Sequence, residues 1–107
     1  MPLFVVQHRH TPESCPAAGA AGSQLLSRIS SATAAGHGVT IEAEALIDGE
    51  HRLLLVVDAA SRETVERFLA FLLDSGELQV LPASTAEEAV ERGGCGAAPQ
   101  PERGAQR

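Results

Sequence analysis

The stretch from Val39 to Ile47, followed by Asp48-Gly49 and then by Leu53 to Val57, does most to limit what this chain can become. Apolar and polar residues alternate up to Ile47, which is the period of a strand with one buried face and not the period of a helix. Asp-Gly is the strongest short hairpin signal, because both residues tolerate the left-handed backbone that a two-residue reversal needs. The second run is β-branched and rich in Leu, as a partner strand would be. A hairpin in the middle of the chain commits the fold to an antiparallel sheet. A two-residue turn sets Ile47 opposite Glu50, so that Leu46 faces His51, Glu44 faces Leu53 and Glu42 faces Leu55. One face then gathers Val39, Ile41, Ala43, Ala45, Ile47, Leu54 and Val56, which is the face expected beneath helices. The other gathers Thr40, Glu42, Glu44, Leu46, His51, Leu53, Leu55 and Val57, a mixed surface suited to a dimer interface or a lined cavity.

The segments on either side complete the layer. Leu3 to Val6 begins a β-rich run that continues to His10, where Pro12 and Pro16 end regular pairing. Leu25, Leu26, Ile29, Ala32 and Thr33 recur at helical spacing until Gly36 and Gly38; Pro16 could open that helix, although Gly19 and Gly22 weaken its start and favour one beginning near Ser23. Ser61 is a good N-cap for a second helix whose Val65, Phe68, Leu69 and Leu72 form one apolar stripe, stopped at Gly76. Leu78 to Leu81 reads as a last strand. Ser84 with Glu87 forms a capping box for a short helix reaching about Arg92. Residues 1–92 thus make one domain, and the Gly-, Pro- and Gln-rich residues 93–107 form a flexible, disordered tail.

Strand, helix, strand, strand, helix, strand is the element order of an α+β ferredoxin-like fold: a βαββαβ antiparallel sheet with two helices on one face. On that order residues 2 to about 82 resemble the dimeric α/β-barrel superfamily, whose members pair their open sheet faces and include small monooxygenases, isomerases and metal-binding proteins. Small actinobacterial nickel-binding proteins are the nearest functional parallel within it. The resemblance implies a homodimer joined through the open sheet face; it rests on element order and transfers no residue role. The absence of Lys beside eight Arg, with abundant Ala and Gly, agrees with a GC-rich, actinobacterial type of coding.

Charge and composition remove several classes of function. At net charge −6 and with no Lys, the chain has no basic face to neutralise a phosphate backbone, so nucleic acid is not an expected partner. Three Phe and no Trp or Tyr leave few platforms for stacked bases or a flavin. The longest apolar run is far too short to span a bilayer, and the N-terminus lacks the pattern of a secretory signal. A cytoplasmic location follows as the expectation, and with it two cysteines, Cys15 and Cys95, kept as thiols. No nucleophile elbow, P-loop, dinucleotide fingerprint or paired CxxC is present.

What remains is His8-Arg9-His10-Thr11-Pro12-Glu13-Ser14-Cys15. Residues two apart on a strand point to the same side, so His8 and His10 aim at one place and Cys15 can fold back towards it. In the ferredoxin-like order the first strand lies antiparallel beside the third, which brings His51 to the same corner. With Leu3 and Val5 on the helix-covered side, Phe4, Val6, His8 and His10 stand on the open face with His51. Glu44 lies one strand further on, about 10 Å from the first strand. His37 falls at the opposite end. The expected metal ligands are therefore His8, His10 and Cys15, with His51 as a fourth and Glu44 as an outer or alternative one. Imidazole, thiolate and carboxylate together suit Ni, Zn, Cu or Fe rather than Mg or Ca. Cys15 just before Pro16 would also feel the positive end of a helix starting there.

Each residue has a plainer reading. Two histidines at a strand end are common surface features, Cys15 serves equally well as a small buried hydrophobe, and Glu42 and Glu44 share a side simply because strands alternate. A second functional reading is an enzyme of the dimeric α/β-barrel type, in which His8, His10 or His51 acts as general acid/base in a cavity bordered by Phe4, Leu53 and Leu55.

Overall fold

The computed structural model describes residues 1–96. Four strands, β1 (Leu3–His10), β2 (Val39–Ile47), β3 (Arg52–Ala59) and β4 (Gly76–Ala83), form one antiparallel sheet in the order β2-β3-β1-β4. This α+β arrangement is compatible with a ferredoxin-like fold. The connections carry α1 (Ala20–Arg28), α2 (Ser31–Gly36) and α3 (Arg62–Phe68), and α4 (Ala86–Glu91) follows the last strand. Each of the two expected long helices is broken. Ser30 caps Thr33 N–H and starts α2 afresh, and α3 tightens after Leu69 into a 3₁₀ stretch, Ala70–Asp74. The last helix is capped one residue later than the sequence suggests, by Thr85 with Glu88. Of the expected tail, residues 97–107 lie outside the described residues.

The sheet shows its covered face through burial. Phe4, Val6 and His8 of β1, Leu53, Leu55, Val57 and Ala59 of β3, and Val80 of β4 are buried beneath Leu25, Ile29, Ala34, Val65, Phe68, Leu69 and Leu72. Each large apolar side chain withdrawn from water in this way contributes about 1.5–3 kcal/mol before entropy is counted. Leu3, Val5, Leu54, Val56 and Leu81 point the other way and are half-exposed.

This reverses the expected assignment of faces, and a β-bulge explains the reversal. Ile41 pairs with Val57, but Ala43 pairs with Val56, so Glu42 is an extra residue that shifts the alternation. Before the bulge Val39 and Ile41 share the covered side with Leu55 and Val57; after it Ala43, Ala45 and Ile47 share the open side with Leu54 and Val56. Counting alternation straight through joined the two halves of β2 and put the helices on the wrong side. The turn differs too. Ile47 pairs with Arg52, Leu46 with Leu53 and Glu44 with Leu55, a slip of two from the expected register. The reversal takes four residues, Asp48 to His51, with Gly49 at φ 77 and His51 at φ 53. The cavity expected beside Phe4, Leu53 and Leu55 is accordingly filled core, with those residues 5%, 2% and 0% exposed.

Candidate metal centre

The site is assembled at the rim of the covered face, where β1 ends. His10, its last residue, pairs with Gly76 of β4, and a side chain at position 76 would collide with the Arg9 carbonyl. That glycine lets β4 close against the strand end carrying the histidines. On the other flank the His10 amide donates to the His51 carbonyl (3.1 Å), which clamps the hairpin loop against the strand. His51 adopts the left-handed backbone, a conformation uncommon without glycine, of the kind that collects at functional sites.

Cys15 arrives from below. Thr11 and Ser14 form a reciprocal capping box around the 3₁₀ turn Pro12–Ser14, and the Ser14 hydroxyl donates to the Ser75 carbonyl (2.9 Å). The loop is thereby tied both to itself and to the segment entering β4. Helix α1 begins only at Ala20, and Cys15 is followed instead by a turn in which Ala18 N–H donates to its carbonyl. The helix terminus expected beside the thiol is therefore not there: Gly19, at φ 59, takes the N-cap position, and the helix runs on through Gly22, beginning three residues before the Ser23 start that the sequence favours.

His10, Cys15 and His51 each bring one ligand atom into a group whose members all lie within 4.8 Å of one another. The edge of a tetrahedral site with Zn–N near 2.0 Å and Zn–S near 2.3 Å is about 3.5 Å, so small side-chain movements would close the set around an ion. The imidazoles of His10 and His51 stand edge to face with centroids 5.3 Å apart.

His8 lies behind this group and not in it. It is fully buried, its Nε2 bonds to the Leu72 carbonyl (2.8 Å), and its Nδ1 meets Nδ1 of His10 at 3.4 Å. A carbonyl only accepts, so Nε2 of His8 carries the proton. Burial pushes the His8 pKa below its ordinary value of 6.5, with the Leu72 bond opposing part of that shift, and the ring is neutral with a bare Nδ1. The contact between the rings then requires Nδ1–H of His10 to donate. Burial, followed by the neighbouring charges of His8 and His51, lowers the His10 pKa as well, so this ring is also neutral and its lone pair sits on Nε2. That atom is buried and has no hydrogen-bond partner among the described residues. A buried nitrogen left unpartnered is costly to maintain, and a hydrogen bond from the other ring nitrogen that fixes the tautomer, here accepted by His8, is what orients a metal-ligating histidine.

Glu44 is exposed and pairs with Leu55, which pairs in turn with Val6. That puts it about 13 Å along the strands from His10 and two strand spacings across. The two-residue slip in register carried it away from the corner, and it is not in the group. His37 lies at the far end, as expected, capping α2. Cys95 is exposed, and both cysteines are free thiols. Beside the group, Cys15 also lines an open cleft of ≈ 470 Å³ with Pro16, Leu25, Phe71, Leu72 and Ser75. No helix among the described residues is long and apolar enough to cross a membrane.

The placement of His8 behind the group, between the Leu72 carbonyl and His10, differs from the ligand position expected of it; the one signal for it in the sequence is its place in line with Phe4 and Val6, the apolar positions of the strand. Comparison with protein-family models, with curated proteins and with solved structures gave no match to this chain.

Proposed function

We propose that the protein is a small transition-metal-binding protein whose role is metal binding, storage or sensing. His10 Nε2, Cys15 Sγ and a nitrogen of His51 ligate the ion, and His8 orients His10. Two imidazoles and a thiol that gives up its proton on ligation suit Zn, Ni or Cu. Three protein ligands leave one coordination position for water or a small ligand. The single observation that carries this reading is the buried, unpartnered Nε2 of His10 beside Cys15 and His51.

The same reading takes the chain as a ferredoxin-like protein of the dimeric α/β-barrel type, acting in the cytoplasm as a homodimer. Its support is the uncovered sheet face, where Leu3, Val5, Leu54, Val56 and Leu81 stand together and half-exposed. A contiguous apolar surface of this kind on one side of an antiparallel sheet is the usual mark of an interface. The residues expected there from sequence, Leu53, Leu55 and Val57, belong to the core, and Leu46 lies on the covered side.

Titration of apoprotein with Ni, Zn and Cu tests the proposal: stoichiometric binding tighter than micromolar is expected, and it should disappear in a His10→Ala, Cys15→Ser double variant. Binding that survives that variant refutes it. A second reading, an isomerase or monooxygenase type of enzyme in which His10 or His51 moves a proton at a small organic substrate, draws its support from the cleft that shares Cys15 with the group. Turnover that persists after exhaustive chelation would select it.

A further inference from the structure

Adjoining the cleft that Cys15 lines, with which it shares Arg28 and Phe71, α1, α2 and α3 leave a second cleft of ≈ 590 Å³, lined by Arg28, Thr33, His37, Arg67, Phe68, Ala70 and Phe71. Its composition is unusual for this chain. Acidic residues outnumber basic ones fourteen to eight, yet no Asp or Glu lines the cleft, and two of the eight arginines do. Two of the three phenylalanines are there as well, Phe68 buried and Phe71 half-buried.

Arg28 is held in place rather than neutralised. The Arg28 guanidinium lies 4.8 Å from the centroid of the Phe71 ring, a cation–π contact that keeps its plane over the aromatic face and leaves its edge donors unused. Among the described residues the only ion pair within 4.0 Å joins Arg52 to Glu50, so neither Arg28 nor Arg67 has a carboxylate partner there. His37 packs its ring 5.2 Å from that of Phe68 and donates from Nδ1 to the Thr33 carbonyl (3.0 Å), which leaves Nε2 as its remaining polar atom. In a chain of net charge −6 the average field repels anions, so an acid-free pair of arginines marks the place where one would be accepted.

We infer that this cleft binds a small organic anion, a ring-sized apolar body carrying one carboxylate or phosphate, with the body against the half-buried Phe71 and the exposed Ala70, above the buried Phe68, and the anionic group in the donor forks of Arg28 and Arg67. An apolar floor with a few convergent polar groups is the general form of a small-ligand site, and the volume falls within the usual range. Planar guanidinium forks match the oxygen pairs of both anions. The inference stands apart from the metal reading, since the two sites share no residue.

The test is an amide-resolved NMR titration with 2-naphthoate, 2-naphthyl phosphate, neutral 2-naphthamide and inorganic phosphate. Saturable shifts at Thr33, His37, Ala70 and Phe71 are expected with one or both naphthyl anions, and the tighter of the two identifies the anionic group. Naphthamide and inorganic phosphate should each bind at least tenfold more weakly. Arg28→Gln with Arg67→Gln should weaken the better anion at least tenfold, while His10→Ala with Cys15→Ser should leave it unchanged. Wild-type affinity should also fall severalfold between low and moderate salt, a reading that needs no substitution. Equal binding of naphthamide, equal binding by the double arginine variant, inorganic phosphate binding as tightly as the naphthyl anions, or shifts scattered away from the cleft would each overturn it.

Discussion

The middle and the end of β1 face the same way yet do different work. Phe4 and Val6 point into the helical layer and are surrounded by Leu55, Val57, Val80 and the α3 stripe, whereas His8 and His10, next in the same line, meet a carbonyl, another imidazole and a thiol loop. The middle of the covered face holds the apolar core, and the rim gathers the imidazoles and the thiol. His8 belongs to both, being as buried as Val6 and as polar as His10. The lesson is that the alternation which builds a core also aims side chains at its edge, so the site needs only a change of residue type along an existing row.

Four measurements would break or sharpen that contrast. The largest effect on folding is expected from Leu55→Ala, which deletes a wholly buried side chain and should cost about 2–5 kcal/mol in denaturant unfolding, while folded molecules keep their affinity for Ni or Zn. A core substitution that abolished metal binding in folded protein would erase the distinction. His10→Ala should do the opposite and weaken the metal by about 100-fold or more, equivalent to about 2.7 kcal/mol, with a smaller change in unfolding free energy. His8→Phe tests the residue in between. It keeps a ring of similar size, leaves the Leu72 carbonyl to Ser75, which already donates to it from its backbone N–H and hydroxyl, and frees Nδ1 of His10, so metal affinity should fall about 10–100-fold, as for other partners behind a ligand. An affinity unchanged in that variant would mean that His8 is simply core.

The fourth and smallest effect is on pH dependence in chelated protein. His8 and His10 have folded-state pKa values held below 6.5 by burial, so between those values and 6.5 the unfolded chain binds more protons than the native one. Stability is then full above about pH 6.5 and falls as the pH drops through that window. Thermal melts across pH 5 to 8 should show this decline, and it should be shallower in His8→Phe. A melting temperature that rose on acidification across the same range would contradict the neutral, relayed pair. The dimer proposal adds a check of its own: Val56→Asp should turn a light-scattering dimer into a monomer, whereas Leu46→Asp, on the covered side, should not.

Much of this was readable from residues alone, and the failures have a common origin. The hairpin, the Ser61-capped helix with its Val65, Phe68, Leu69 and Leu72 stripe, and the meeting of His10 with His51 follow from local pattern and from antiparallel adjacency. Cys15 reached the group because two prolines and a capping turn reverse the chain there. Which face the helices cover was not readable, since the bulge at Glu42 is a pairing event between strands and leaves no mark in the alternation of β2. Nor could spacing tell His8 from His10. Their roles separate only through the Leu72 carbonyl, sixty-four positions away, whose approach depends on α3 tightening into a 3₁₀ turn. Glu44 failed for a similar reason: two further residues in the loop, His51 among them, moved it two pairs along β3 from the corner.

Glu42 also bears on how such a gene can drift in length. Sidedness along an extended segment is binary, so losing that one codon would not erode the arm by degrees; it would exchange inside for outside across everything on one flank of the deletion. Substitutions throughout β2 can accumulate gradually, but a single-residue indel there is a toggle, and lineages that share this architecture should keep the count even where they have lost the letters.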